Sequence, residues 1–210
     1  MLAFGTRTDT LDRAAVDLLD VARRAVVQLE VRQRGVGTGT VWRMDGNDAL
    51  IVTNAHVLAA GHRSGRHAHG ELRMLDGECM EHDVAVLRRD DALDLALLRV
   101  AADGRMTGLR FATQTPRVGE WAFAIGNPWG QTGVVTRGVI STVGAVATRD
   151  GRRVNIIRSD VRLAPGNSGG PLLNAAGDVV GLNAMIVGGD LSVAIAASTV
   201  ADWLNPQMKI

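Results

Sequence analysis

After residue 25 the hydrophobic period of this chain drops to two. Val27, Leu29 and Val31 alternate with Gln28, Glu30 and Arg32, and that alternation puts one row of side chains on each face of a strand. Short β-rich runs follow at 37–43, 49–53, 71–76, 83–88 and 95–100, punctuated by Gly, Asp and Asn. A polar, Gly-containing connector near 103–118 separates them from a second series at 120–126, 133–146, 154–159, 170–174, 178–187 and 191–197. Six short strands, a connector and six more predict an all-β fold of two six-stranded antiparallel barrels. The expected layout over 1–210 is an N-terminal helical segment (1–24), a first barrel (25–103), the connector (104–118), then a second barrel and a short C-terminal helix (119–210).

Two stretches escape the period of two. From Asp9 to Ala25 the residues Leu11, Ala14, Ala15, Leu18, Val21, Ala22 and Ala25 recur at helical spacing opposite Asp12, Arg13, Asp17, Asp20 and Arg24, the pattern of an amphipathic helix packed on its own domain. From Ser198 to Leu204 a second helix is expected, with Ser198 or Thr199 as cap and Pro206 past its end. Between Leu58 and Glu71 the sequence is polar and broken by glycine, which reads as an exposed loop.

Charge and composition narrow the function classes. With 23 basic and 22 acidic side chains the net charge is +1, which creates no global field for nucleic acid, and only 3% of the residues are aromatic, too few for a base-stacking surface. The expectation is no nucleic-acid partner. There is one cysteine, Cys79, so no internal disulfide forms and the residue reads as a small buried apolar group. No run of about 18 apolar residues is present to span a bilayer, and no basic leader precedes an apolar stretch, which makes the cytoplasm the default expectation. His62, His67 and His69 fall in the polar loop, but no Cys, Asp or Glu beside them completes a ligand set, so neither metal nor other cofactor is expected.

Three segments place a reactive side chain beside small residues at the end of an apolar strand: Thr53-Asn54-Ala55-His56-Val57, Asp94-Leu95-Ala96-Leu97-Leu98 and Gly166-Asn167-Ser168-Gly169-Gly170-Pro171-Leu172. Taken singly, His56 reads as a turn residue, Asp94 as a solvated carboxylate and the glycine loop as a hairpin. Taken together, a histidine and an aspartate in the front half and a serine in the rear half supply what nucleophilic catalysis needs. A serine hydroxyl is a poor nucleophile until a base takes its proton, and the base needs an acid to fix its tautomer and stabilise its charged form. Glycines around Ser168 free the backbone to aim amides at a developing oxyanion.

The segments TNAHV, DLALL and GNSGGPL, with Val118-Gly119-Glu120 and Ala124-Ile125-Gly126-Asn127-Pro128-Trp129-Gly130 between them, resemble the HtrA/Deg branch of trypsin-like serine proteases over about residues 25–204. The resemblance implies two six-stranded β-barrels, peptide-bond hydrolysis on peptide or unfolded protein substrates, and a triad in the groove between the barrels. Carried over by position, it makes Ser168 the nucleophile, His56 the general base and then acid, and Asp94 the residue that orients the imidazole. The backbone amides of Gly166 and Ser168 become the oxyanion hole. Leu163, Ala184, Met185 and Ile186 wall the primary specificity pocket, which favours small or medium aliphatic side chains before the scissile bond. Arg162 stands where trypsin has its pocket-bottom aspartate, so cleavage after Lys or Arg is disfavoured by charge.

The chain also departs from the resembled pattern. Relatives of this branch usually continue into PDZ domains, whereas this sequence stops at Ile210, and the expectation is a protease domain alone. Asn167 precedes the serine where digestive members have the aspartate that pairs with a freshly cut N-terminus, so activation by cleavage is not expected. Gating by loop movement near 127–133, 143–154 and 184–191 is expected instead. Homotrimers occur in the branch and use an N-terminal segment with aromatics, of which only Phe4 is present here. The competing reading is a catalytically silent, protease-shaped module that binds peptides or regulates a partner.

Overall fold

Among the described residues, twelve antiparallel strands in two sets of six carry the fold. In the computed structural model, residues 24–31, 36–58, 67–74, 79–102, 104–187 and 191–205 are described, with positions 13, 15–18, 20 and 22 ahead of them. For 31, 67–74, 79–83 and 185–187 the description is of the backbone alone. The first set comprises β1 (Val26–Val31), β2 (Val36–Asp45), β3 (Asp48–Thr53), β4 (His67–Met74), β5 (Cys79–Asp90) and β6 (Leu95–Ala101). It closes into a barrel in the order β1-β2-β3-β6-β5-β4, with β4 returning to pair with β1. The β2–β3 hairpin turns on Gly46 and Asn47 between the paired Asp45 and Asp48, with Gly46 at φ +61. A two-residue hairpin loop needs such a positive φ, which glycine adopts without strain.

The second set comprises β7 (Trp121–Gly126), β8 (Val134–Ala147), β9 (Arg153–Ser159), β10 (Pro171–Leu173), β11 (Val179–Val187) and β12 (Leu191–Ala196). Its order is β10-β11-β12-β9-β8-β7, and its two ends meet where Leu172 and Leu173 pair with Ala124 and Phe123. Strand β11 bulges between Asn183 and Met185, leaving Ala184 opposite no partner residue. That bulge re-aims the backbone at the point where the two sets face each other.

The expected polar loop between Leu58 and Glu71 is corrected at its C-terminal end. His67 to Gly70 are strand, continuing β4 against Val84–Ala85 of β5, and Gly70 pairs with Val31 of β1. The 12-residue β5 offers a backbone edge long enough to recruit this segment whatever its side chains, so ladder pairing overrides local polarity. Residues 59–66, with His62, lie outside the described residues, as do Phe4, Leu11, Ala14 and Val21 of the N-terminal segment. The side chains of His67, His69 and Cys79 are also outside the description.

Three apolar clusters hold these elements. One fills the first barrel with Val27, Val41, Ile51, Leu98 and their neighbours, and the N-terminal helix closes it through buried Leu18 and Ala22, as its apolar stripe predicts. A second fills the other strand set around Ile140, Ile157 and Leu172. The third spans the two: Val52, Leu93 and Leu95 meet Ile156, Leu182, Ala184, Val193 and Ile195, with Val200 and Trp203 of the C-terminal helix at one end. This shared cluster presses the two sets together and creates the groove between them.

The C-terminal helix runs Ala197–Leu204, and neither Ser198 nor Thr199 caps it. The residue at the cap position is Ala196, while the Thr199 hydroxyl accepts the Asn155 amide at 3.0 Å and Ser198 Oγ accepts Asn155 Nδ2 at 3.3 Å. Both hydroxyls dock the helix on β9 because strand β12 feeds directly into it. Among the described residues no helix is long and apolar enough to cross a membrane.

Candidate active site

His56 lies in a single 3₁₀ turn, Ala55–Val57, at the end of β3, and Asp94 ends the turn between β5 and β6. Strands β3 and β6 are neighbours in the barrel, with Thr53 paired to Ala96, so their ends emerge side by side. Both carboxylate oxygens of Asp94 engage His56: Oδ2 lies 2.8 Å from Nδ1, and Oδ1 accepts the His56 backbone amide at 3.0 Å. Buried Asn54 donates its Nδ2 to the Asp94 carbonyl at 2.9 Å, which fixes the backbone as well as the side chain. A carboxylate on Nδ1 places the ring proton there and leaves Nε2 free to accept one. The imidazole is half exposed and so open to a substrate.

The serine loop reaches this site from the second strand set and is seated on the first. Thr38 of β2 binds it twice: its amide donates to the Ser168 carbonyl at 2.9 Å and its hydroxyl to the Gly166 carbonyl at 2.6 Å. Thr40 donates to the Gly169 carbonyl at 3.0 Å, and the Gly169 amide donates to Asn183 of β11 at 2.9 Å. Thr53, three residues before His56, donates its hydroxyl to the Thr38 carbonyl at 2.7 Å. The strand end that carries the histidine and the loop that carries the serine are therefore tied to one residue, Thr38.

Glycine is required at two points of this seat. Gly166 has φ +107, and a Cβ there would stand 2.3 Å from the Asn127 carbonyl oxygen. At Gly169, φ +84, a Cβ would meet the Thr38 carbonyl at 2.1 Å. With the Gly166 and Ser168 carbonyls turned to Thr38, the amides of the same two residues donate to no protein acceptor among the described hydrogen bonds. The Ser168 hydroxyl itself donates to the Ala184 carbonyl at 3.1 Å, the group that the β11 bulge releases from the ladder. No hydrogen bond joins Ser168 to His56 among the described residues.

Next to Asp94 and Ala184 opens a cavity of about 840 Å³, walled by Leu93, Val193, Ile195, Val154 and Ile156 and rimmed by the 146–150 segment. Ala184 is buried on its wall. Leu163 is half buried against the second apolar cluster and is not among the residues lining this cavity. Met185 and Ile186 follow in β11, opposite Val193 and Ser192, with side chains outside the description. Arg162 is exposed, and its carbonyl accepts the Thr136 hydroxyl at 2.7 Å. Among the described residues no group of His, Cys, Asp and Glu is arranged to hold a metal ion.

The model of the trypsin-like peptidase domain family matches residues 37–182, which include His56, Asp94 and Ser168. This chain belongs to that family. Among its relatives, the putative serine protease HhoA of Synechocystis is 36% identical over 159 residues, covering 73% of this chain and 38% of HhoA. A probable periplasmic DegP-like serine endoprotease of Halomonas elongata is 34% identical over 181 residues, covering 82% of this chain and 36% of the relative. Serine protease HTRA1 of Xenopus tropicalis is 32% identical over 165 residues, covering 75% and 33%. The chain thus spans about a third of the length of these curated relatives, each of which is named a serine protease or endoprotease. In shape it is similar to the crystal structure of Rv3671c protease in its inactive form, with a TM-score of 0.76 at 22% identity over 92% of this chain and 94% of that one.

Several residues that shape this trypsin-like domain's site were not legible as such. Asn54 sits inside the TNAHV segment and Asn127 inside AIGNPWG, so both lay in marked stretches without an assigned task. Asn127 donates its amide and Nδ2 to the Thr38 hydroxyl at 3.0 and 3.1 Å, bracing the serine loop from behind. Thr38 itself is one of many strand threonines, and nothing in GTGTV distinguishes it before β2 meets the serine loop.

Proposed function

We propose that this domain is a serine endopeptidase built on two six-stranded barrels, with Ser168, His56 and Asp94 as its catalytic triad. His56 Nε2 takes the Ser168 proton as Oγ attacks the scissile carbonyl carbon. The same proton is then delivered to the leaving amine, giving an acyl-enzyme that water hydrolyses by the reverse exchange. Asp94 holds the proton on Nδ1 and offsets the charge of the imidazolium. The amides of Gly166 and Ser168 receive the oxyanion, a contribution of about 3–4 kcal/mol to the barrier for a donor so placed. Leu163, Ala184, Met185 and Ile186 shape the pocket for a small or medium aliphatic residue before the scissile bond, on peptides or unfolded proteins.

The observation that carries this reading is the double grip of one carboxylate on His56, with Nε2 left free, beside a serine loop in which the Gly166 and Ser168 carbonyls are held while the amides of those two residues are not. The bond from Ser168 Oγ to the Ala184 carbonyl favours a second reading, a silent peptide-binding module whose hydroxyl is permanently turned away from the base. Labelling with a fluorophosphonate separates the two. The endopeptidase predicts rapid labelling of the wild type, none of Ser168→Ala, and cleavage of casein. A folded wild type that binds peptide but neither labels nor cleaves makes the silent module the correct description.

A further inference from the structure

Asp94 has φ +55, in the left-handed region that a non-glycine residue occupies only where its surroundings hold it. It ends the four-residue turn that starts at Asp91, and the other end of that turn is fastened by Asp90. One oxygen of the Asp90 carboxylate, Oδ1, accepts the amides of Ala92 at 3.1 Å and Leu93 at 3.0 Å. The same carboxylate receives Arg152 as a fork: Nη1 donates to Oδ2 and Nη2 to Oδ1, each at 2.7 Å. Arg152 lies in the connection between β8 and β9, on the other strand set, where its Nε donates to Asp150 Oδ2 at 2.8 Å and Asp150 accepts the Thr148 hydroxyl. An unbroken line of hydrogen bonds therefore runs from Thr148 through Asp150, Arg152 and Asp90 to the amide of Leu93, the residue before Asp94.

We propose that Arg152 is a positioning residue for Asp94: by gripping Asp90 it makes the turn that aims the carboxylate at His56 depend on the conformation of the β8–β9 connection. The proposal deepens the endopeptidase reading and rests on it for its kinetic consequence. The Asp90 side chain is 14% exposed and that of Arg152 45%, so the carboxylate is shielded while the guanidinium reaches solvent, and it is the two-bonded fork that fixes direction as well as distance. The hydrogen bond from Arg152 also holds the Asp90 carboxyl below the usual carboxylate range, keeping it an acceptor for both turn amides. The remaining carboxylate of the turn, Asp91, is held by Arg89 Nε at 2.8 Å and does not compete for Arg152.

The test uses the whole domain with Arg152→Ala, Arg152→Lys and, as control, Arg110→Ala, which breaks an equally forked pair with Asp178 on a different surface. Two readouts are taken: peptide hydrolysis, and the low-field proton resonance of the His56 Nδ1–H in its bond to Asp94. Arg152→Ala is expected to lower kcat by about ten- to hundredfold, the range for a small misplacement of a reacting group, with KM changed by less than about twofold. It is also expected to weaken or abolish the resonance. Arg152→Lys keeps the charge without the fork and is expected to recover part of both losses. Arg110→Ala is expected to change neither. Retention of kcat and of the resonance in Arg152→Ala overturns the proposal. If the wild type hydrolyses no peptide, the resonance decides alone: its loss in Arg152→Ala upholds the positioning role while the endopeptidase reading falls, and its persistence removes the positioning role too.

Discussion

Replacing Thr38 by valine keeps nearly the same shape and deletes one hydroxyl that serves three hydrogen bonds. That hydroxyl donates to the Gly166 carbonyl and accepts the amide and Nδ2 of Asn127, in a fully buried position. Asn127 Nδ2 keeps a second partner, the Val27 carbonyl at 3.2 Å, so the groups orphaned are the Gly166 carbonyl and the Asn127 amide. At about 1–3 kcal/mol for each of the two buried groups left without a partner, the cost is about 2–6 kcal/mol, a large share of the 5–15 kcal/mol typical of a whole domain. For a chain of this size, at about 2–4 °C per kcal/mol, that corresponds to a fall of about 4–24 °C in Tm. Releasing the Gly166 carbonyl also frees the φ and ψ torsions of Gly166, through which its amide is aimed at the oxyanion, so fluorophosphonate labelling of Ser168 slows by at least about tenfold. Thr38→Ser retains the hydroxyl, loses one buried methyl, costs about 1 kcal/mol and keeps the labelling rate. Thermal denaturation and labelling of both variants check the reasoning. A Tm of Thr38→Val within about 2 °C of wild type, with unchanged labelling, refutes the claim that this hydroxyl holds the serine loop.

Three further outcomes follow from the geometry. Asp94→Asn is expected to stay folded by circular dichroism and lose about 10⁴ in kcat, because an amide stabilises the wrong tautomer and supplies no charge; a loss below tenfold removes Asp94 from the triad. In Gly166→Ala the added methyl meets the Asn127 carbonyl at 2.3 Å in a backbone conformation hostile to alanine, so kcat falls by about 10²–10³ while substrate binding, measured as peptide Kd on a Ser168→Ala background, changes little. Asp90 has its carboxyl lowered chiefly by the hydrogen bond from Arg152, so its stabilisation is complete above the unfolded carboxylate range and is lost as pH falls through the lower folded value. Denaturation midpoints of wild type and Asp90→Asn are expected to differ at neutral pH and to converge as pH drops below the ordinary carboxylate range; a constant gap contradicts the linkage.

Local pattern decided the elements of this protein. A period of two over runs bounded by Gly, Asp and Asn names strands, because alternating side chains sort themselves between a core and a surface, and the observed strand ends fall close to those runs. The exceptions are His67–Gly70, which has no alternation of apolar residues, and Cys79–His82, ahead of the run expected at 83–88; each became strand by pairing between β4 and β5, which no local pattern carries. His56, Asp94 and Ser168 were visible as reactive residues next to small ones at strand ends, since their chemistry shows in the side chains themselves. What joins them was not visible. Thr38 holding the serine loop, the β11 bulge offering the Ala184 carbonyl, and Arg152 reaching Asp90 from the other strand set all depend on contacts between segments tens of residues apart. Such contacts arise only when two sheets meet through a shared apolar cluster, and a residue's neighbours across that cluster leave no mark on the residues beside it in the chain.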